Sequence, residues 1–276
     1  MTVQAIAGKE LFLTALKGGK VPRPAVFSAD QTGTYELMEK VSAYWPEAIC
    51  NAKDMAKLAA TASTVLGFDA VRVPFCQTIE AEILGSILRE GGRENVPSIK
   101  QHRYKIGDVP DFPEDFLSRG RIPELLEAVK ILKDTLGDSA AVVGGIIGPF
   151  SIAGNIVDVT ALLHACMKNP DSIIPYLEVA EKAGTMLGKA LIDAGADAIA
   201  IGLDRRAARG VGGRGKPAPV GDQGGAVDDQ AERMMGHTRG DSGALDVSRA
   251  RRVRLPTLFH RKTRSSARDD HQERWR

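Results

Sequence analysis

The chain has 276 residues, a formal net charge of +2 and 43% hydrophobic residues, enough apolar material for one large globular domain or two ordinary ones. No run approaches the ~18 apolar residues needed to span a bilayer, and Lys9 and Glu10 interrupt the apolar opening, so neither a membrane span nor a signal peptide is expected. Cys50, Cys76 and Cys166 are odd in number and form no C-x-x-C pair, which argues against a disulfide framework and predicts a cytoplasmic protein.

In chain order, the first apolar run, Pro24 to Phe27, reads as a strand. Met55, Leu58, Ala59, Ala62 and Val65 recur at helical spacing from Lys53 to Leu66, and Gly67 ends that helix. A second strand is predicted over Asp69 to Phe75. A helix starting near Pro123 turns Leu125, Leu126, Val129, Leu132 and Leu136 toward a core and stops before Gly137. Ala141 to Ile147 is the third strand, followed by a helical pattern over Asp158 to Lys168. Asn169-Pro170 reads as a cap with proline at the first helical position, opening a helix that runs to Gly195. Asp197 to Ile201 is the fourth strand. Strand and helix thus alternate as in β/α units on a parallel sheet, and four units in 202 residues make roughly the first half of an eight-stranded barrel.

Barrel chemistry is assembled on the loops that follow the strands. Those loops offer Gln31 and Gly33, then Cys76, Gln77 and Thr78, then Gly148, Pro149 and Phe150. Gln31, Gly33, Cys76, Gln77, Gly148 and Pro149 are the candidate substrate-binding residues; no catalytic residue is assignable. Cys76 is expected to line the pocket, with burial at a strand end as the equally simple alternative. Arg72, inside a strand, reads as an outward-facing or paired charge. Glu80 and Glu82 read as the negatively charged start of a helix. His164-Ala-Cys166 has the look of a metal-ligand pair, but residues two apart on a helix point to nearly opposite sides, so no metal ligand is assigned.

Several of these motifs together resemble a known family. Tyr44 to Ala48 (YWPEA), Leu66 to Thr78 (LGFDAVRVPFCQT), Glu80 to Glu82 (EAE), Glu94 to Ser98 (ENVPS) and Gly148 to Gly154 (GPFSIAG) resemble the methylcobalamin:coenzyme M methyltransferases of the uroporphyrinogen decarboxylase superfamily. The resemblance covers residues 1–202 and implies a (β/α)8 TIM barrel of the uroporphyrinogen decarboxylase type, here truncated to about its first half. It implies methyl transfer from a methylcobamide, carried on a corrinoid partner protein, to the thiol of coenzyme M. It also implies a zinc ion held by one His and two Cys in the second half of the barrel. The decarboxylase itself, a porphyrin-biosynthesis enzyme, is the alternative, but its paired arginines correspond here to Asp30 and Thr34, and Cys76-Gln77 stands where its aspartate would be.

Beyond Gly202 the composition changes abruptly. Residues 1–202 contain 13 Lys, 7 Arg and 18 Ile and carry a net −5, whereas residues 203–276 contain 2 Lys, 15 Arg and no Ile, Asn, Tyr or Cys and carry a net +7. A basic nucleic-acid-binding extension, a disordered linker and a wrong reading frame are the three explanations weighed. Eight Asp scattered among the arginines and only two aromatics, Phe259 and Trp275, speak against nucleic acid. Loss of residues with A/T-rich codons beside gain of Arg and Gly favours a frameshift. Gly210 to Lys216 (GVGGRGK) lacks the strand, helix and Ser/Thr of a phosphate loop, and His237 and His260 stand alone. On this reading the zinc-ligand half is missing and the chain is inactive, with the first and fourth strands left as open edges and self-association possible through them. A non-catalytic, basic-tailed fragment is the remaining alternative.

Overall fold

A computed structural model describes residues 6–29 and 33–202, with the backbone of residues 244–246. Three parallel strands form its centre: β1 (Ala70–Val73), β4 (Ala141–Ile147) and β5 (Ala198–Gly202), in the order β1-β4-β5. Arg72 lies opposite Val143 and Gly145 opposite Ala200. β2 (Ile87–Arg89) and β3 (Ser98–Gln101) form a separate antiparallel hairpin between β1 and β4 in sequence, which the sequence analysis did not predict.

Helices cover the outer face of the sheet. α4 (Ala52–Thr64) begins where Asn51 Oδ1 accepts from the amides of Lys53 and Asp54, at 3.0 and 3.1 Å, and ends before Gly67, which adopts φ +72°. α6 (Ile122–Leu136) carries Pro123 in its first turn and stops at Gly137. Of the residues expected to face the core, Leu125, Val129, Leu132 and Leu136 are buried and Leu126 is half-buried at its edge. α7 (Pro149–Ile156) leaves the end of β4, and α8 (Val159–Lys168) is capped by the Asp158 carboxylate, which accepts from Ala161 N at 3.0 Å. The predicted helix from Asn169 is in fact broken: a 3-10 turn spans Pro170–Ile173 and α9 spans Ile174–Asp193. The Asn169 side chain makes no cap bond there. Pro175, which has no N–H and a ring that clashes with a preceding carbonyl, allows the α-helix to start only around itself.

Two further expectations are corrected. The segment Pro24 to Phe27 is not a strand. Pro22 and Pro24 have no N–H to donate, and Val26 reaches β1 only through Asp69: its N–H donates to Asp69 Oδ2 at 2.8 Å and its carbonyl accepts from Asp69 N at 2.9 Å. The inner-face apolar side chains are covered. Ala70, Ala141, Val143, Ala198 and Ala200 are buried against Phe12, with Leu13, Leu16, Ala25 and Phe27 around them, because α1 (Gly8–Leu16) packs across that face. The outer edge of β5, expected to be free, pairs antiparallel with β6 (Ala244–Asp246). Apart from β6, the tail with its predicted irregular structure, and the candidates at Gly210 to Lys216, His237 and His260, lies outside the described residues.

Among the described residues no single helix is long and apolar enough to cross a membrane; only the sharply bent pair α7 and α8 passes by length and composition together.

Candidate active site at the end of the first strand

Pro74 closes β1, and the chain then turns through Phe75-Cys76-Gln77-Thr78 into the short helix α5 (Ile79–Ile83). Phe75 faces Trp45 with ring centroids 6.2 Å apart, which anchors the turn in the core. Charged groups gather behind it. Arg121, the residue just before α6, reaches back 39 to 45 residues: its Nε donates to Glu82 Oε2 at 2.8 Å, Nη1 to Cys76 Sγ at 2.9 Å and Nη2 to Thr78 Oγ1 at 3.1 Å. Its Nη2 is also 2.7 Å from Glu82 Oε2. Burial pulls the Arg121 pKa down, but Cys76 and Glu82 outweigh that and raise it above its ordinary value. Arg121 therefore stays a cation and holds the turn after β1 to the start of α6.

Glu80 is fully buried, and burial pushes its carboxyl pKa up, against its own amide, the Ile147 amide and the nearby Arg72 and Arg121 cations. Its Oε1 accepts from Ile147 N at 3.2 Å, tying α5 to the last residue of β4. Arg72 is likewise buried, on the inner face of the sheet, and donates from Nη1 to the Pro74 carbonyl at 3.2 Å. Its guanidinium lies flat over Gly145: a Cβ there would stand 2.5 Å from Nε and from Nη2. Only a residue without a side chain leaves that space.

The sequence candidates are distributed as follows. Cys76 is buried beneath Arg121, and Gln77 is exposed, with its carbonyl accepting from Asn155 Nδ2 of α7 at 3.1 Å. Gly202, at the end of β5, comes close to the Gln77 amide: a Cβ on it would meet Gln77 Nε2 at 3.5 Å. Gly148 donates its N–H to the Gly202 carbonyl at 2.9 Å, and Pro149 starts α7. Cys76, Gln77, Gly148 and Pro149 thus meet at the C-terminal ends of β1, β4 and β5. Gly33 sits apart, packed over Trp45 and Leu58, and Gln31 lies outside the described residues. Of the two alternatives read for Arg72, outward-facing or paired, the outward one fails, since Arg72 is buried near Glu80; Arg121 was passed over altogether. Glu80 and Glu82 do start a helix, but Glu80 is a buried carboxyl and Glu82 an ion-pair partner.

The zinc expected from the resemblance does not fit the described residues, among which no group of three or more His, Cys, Asp or Glu could hold a metal. His164 and Cys166 stand on α8, exposed and half-buried. Chemically, the constellation is a turn stiffened by buried cations, with a thiol and a carboxamide beside a glycine-lined strand end. Of its polar groups the Gln77 side chain is exposed, so its carboxamide can donate and accept hydrogen bonds there.

Residues 7–208 match the uroporphyrinogen decarboxylase (URO-D) family. Curated relatives include the methylcobamide:CoM methyltransferase MtaA of Methanosarcina barkeri, 38% identical over 194 residues that span 70% of this chain and 57% of the relative. Methylcobamide:CoM methyltransferase MtbA of Methanosarcina mazei is 39% identical over the same shares. A solved methyltransferase structure from Methanosarcina mazei superposes with a TM-score of 0.69 at 38% identity, covering 72% of this chain and 59% of that one. The chain thus spans less than two thirds of the length of these relatives, and its parallel sheet with outer helices is the corresponding part of a URO-D-type barrel. By the match over residues 7–208, the chain belongs to the uroporphyrinogen decarboxylase family.

Proposed function

We propose that residues 1–202 are the substrate-orienting part of a methyltransferase that moves a methyl group from a methylated corrinoid to the thiol of coenzyme M. The observation that carries the reading is the 37–39% identity to four methylcobamide:CoM methyltransferases over 194 residues. The site agrees with it: the turn after β1 holds Cys76 and Gln77 where the decarboxylase would need an aspartate. In this reading Gln77, Gly148 and Pro149 border the substrate with Gln31 as a further candidate, Gly33 backs the Trp45–Phe75 wall, and Cys76 lies beneath the turn.

Zinc, when bound to a complete enzyme, would supply an activated thiolate acceptor. The described residues hold no ligand set for it. The match to the family stops at residue 208, within six residues of the change in composition at Leu203. That coincidence supports a frameshift as the origin of residues 203–276, and with it an inactive chain. The test is to resequence across codon 202, translate the other frames, and assay both products for zinc and for methyl transfer from free methylcobalamin to coenzyme M. A restored frame should bring an H-x-C, a later Cys, about one zinc per chain and activity. If no frame restores those ligands, the frameshift is refuted. If the restored enzyme binds zinc but leaves coenzyme M unmethylated, the methyltransferase reading is refuted.

A further inference from the structure

Residues 85–105 carry Arg89, Arg93, Lys100, Arg103 and Lys105 against Glu90 and Glu94, a net +3 inside a 202-residue segment whose balance is −5. All five cations are exposed. They ride on the β2–β3 hairpin and the strand end that follows it. Leu88 and Ile99 face each other and turn inward, with Ile99 packed on the core. Ile87, Arg89, Ser98 and Lys100 are left exposed on the hairpin, Ile87 at 51%. Val109, just beyond, is 90% exposed. Arg93 lies 4.2 Å above the Tyr44 ring, which limits its freedom before any partner arrives.

This arm is fixed to the candidate site. Ser86 Oγ donates to the Asn155 carbonyl at 3.0 Å, His102 Nδ1 meets the same oxygen at 3.1 Å, and Tyr104 N donates to the Ile156 carbonyl at 2.9 Å. Asn155 in turn holds the Gln77 carbonyl. The cationic surface therefore stands at the rim of the strand ends where the substrate residues meet.

We propose that this hairpin docks the acidic face of a second protein, the one that delivers the methyl donor; the partner's identity rests on the reading above. Exposed Arg89 and Lys100 on the same hairpin as solvent-facing Ile87 give the mix of cationic and apolar side chains found in protein interfaces. The only aromatic in residues 85–105 is the buried Tyr104, so the arm offers no stacking platform for a single-stranded nucleic acid. Complementary charge would speed encounter and orient the donor over the site.

The test uses the full chain and the double variant Arg89→Glu/Lys100→Glu, titrated with corrinoid-loaded carrier protein and, in parallel, with a duplex RNA. Both substitutions are on exposed side chains, and a thermal melt checks the fold. If the double variant melts early, Arg89→Gln/Lys100→Gln replaces it. Docking predicts at least tenfold weaker carrier binding in the double variant at low salt, and a smaller loss between 50 and 300 mM salt than in the unaltered chain. No carrier binding by the unaltered chain, or equal binding by the variant, overturns the proposal. So does a loss confined to RNA. None of these outcomes touches the methyltransferase reading, which is judged by transfer from free methylcobalamin, a reaction that needs no carrier.

Discussion

Arg121→Met removes the cation that joins the turn after β1 to α6 while leaving a flexible apolar stem in its place. Arg121 is 9% exposed and Glu82 32% exposed, so the pair is intermediate between a surface bridge and a buried one. Truncating one partner of a buried pair costs about 3–5 kcal/mol, whereas exposed pairs are worth about 0–1 kcal/mol. Weighting toward the buried arginine gives a destabilisation of about 3 kcal/mol, with the loss of the bonds to Cys76 and Thr78 included in that figure. In urea, with a slope of about 2 kcal/mol/M, the midpoint should fall by roughly 1.5 M at unchanged slope. Arg121→Lys keeps the charge but not the three-way fork, so about half that loss is expected. A double-mutant cycle with Glu82→Gln should return a coupling of about 1–2 kcal/mol. A midpoint shift under 0.5 M for Arg121→Met, or a coupling near zero, would refute the claim that this fork holds the site together.

Other consequences follow from the same geometry. Asp69 is held by the Arg23 fork, both oxygens at 2.7 Å, which keeps its carboxyl below the ordinary range; this stability is present above the unfolded pKa of about 4 and lost as pH falls through the folded value, so Asp69→Asn should flatten acid unfolding monitored by circular dichroism. Glu80→Gln should be tolerated near neutral pH to within about 1 kcal/mol, because burial already favours the uncharged carboxyl and the amide oxygen can still accept from Ile147 N; a loss of 3 kcal/mol in urea would show that the ionised form is required. Gly8→Ala should loosen α1, since its Cβ would stand 2.3 Å from the Ser139 carbonyl, a backbone oxygen that cannot step aside; about 1–3 kcal/mol and faster amide exchange in Ala70 and Ala141 are expected.

The sheet was legible because its three central strands are buried on both faces. Ala141 to Ile147 is buried at every position, so its sequence is a continuous apolar run that no surface element imitates. The amphipathic helices α4 and α6 were legible instead from the helical spacing of their one buried face, with Gly67 and Gly137 marking their ends. The Pro24 to Phe27 segment misled because its apolar content is real, yet it serves packing over Phe12 rather than a hydrogen-bond ladder: the Phe12 and Phe27 rings lie 5.3 Å apart. The hairpin was invisible for the converse reason. Its strands are three and four residues long, mostly exposed, and alternate too briefly to register as a period.

The site was harder to read than the sheet because its decisive contacts are far apart in sequence. Cys76 and Gln77 could be chosen by position alone, at a strand end. Arg121 carries no such mark: it follows a glycine at φ +54° and precedes a helix, and what gives it meaning is the arrival of Cys76, Thr78 and Glu82 from more than 38 residues away. Arg72 illustrates the same limit in reverse. An arginine within an apolar strand reads as a charge that faces water or is paired, and Gly145 on the neighbouring strand decides between them by leaving a slot where the guanidinium can lie buried. One glycine 73 positions later decides whether the residue faces out or in, and a Gly145→Ala substitution should therefore displace Arg72 from the inner face. That displacement would be read as loss of the Arg72 bond to the Pro74 carbonyl and a loosened turn at Cys76, with faster thiol labelling there than in the unaltered chain. Unchanged labelling of Cys76 would mean that Arg72 does not hold the turn, and that Arg121 secures it alone.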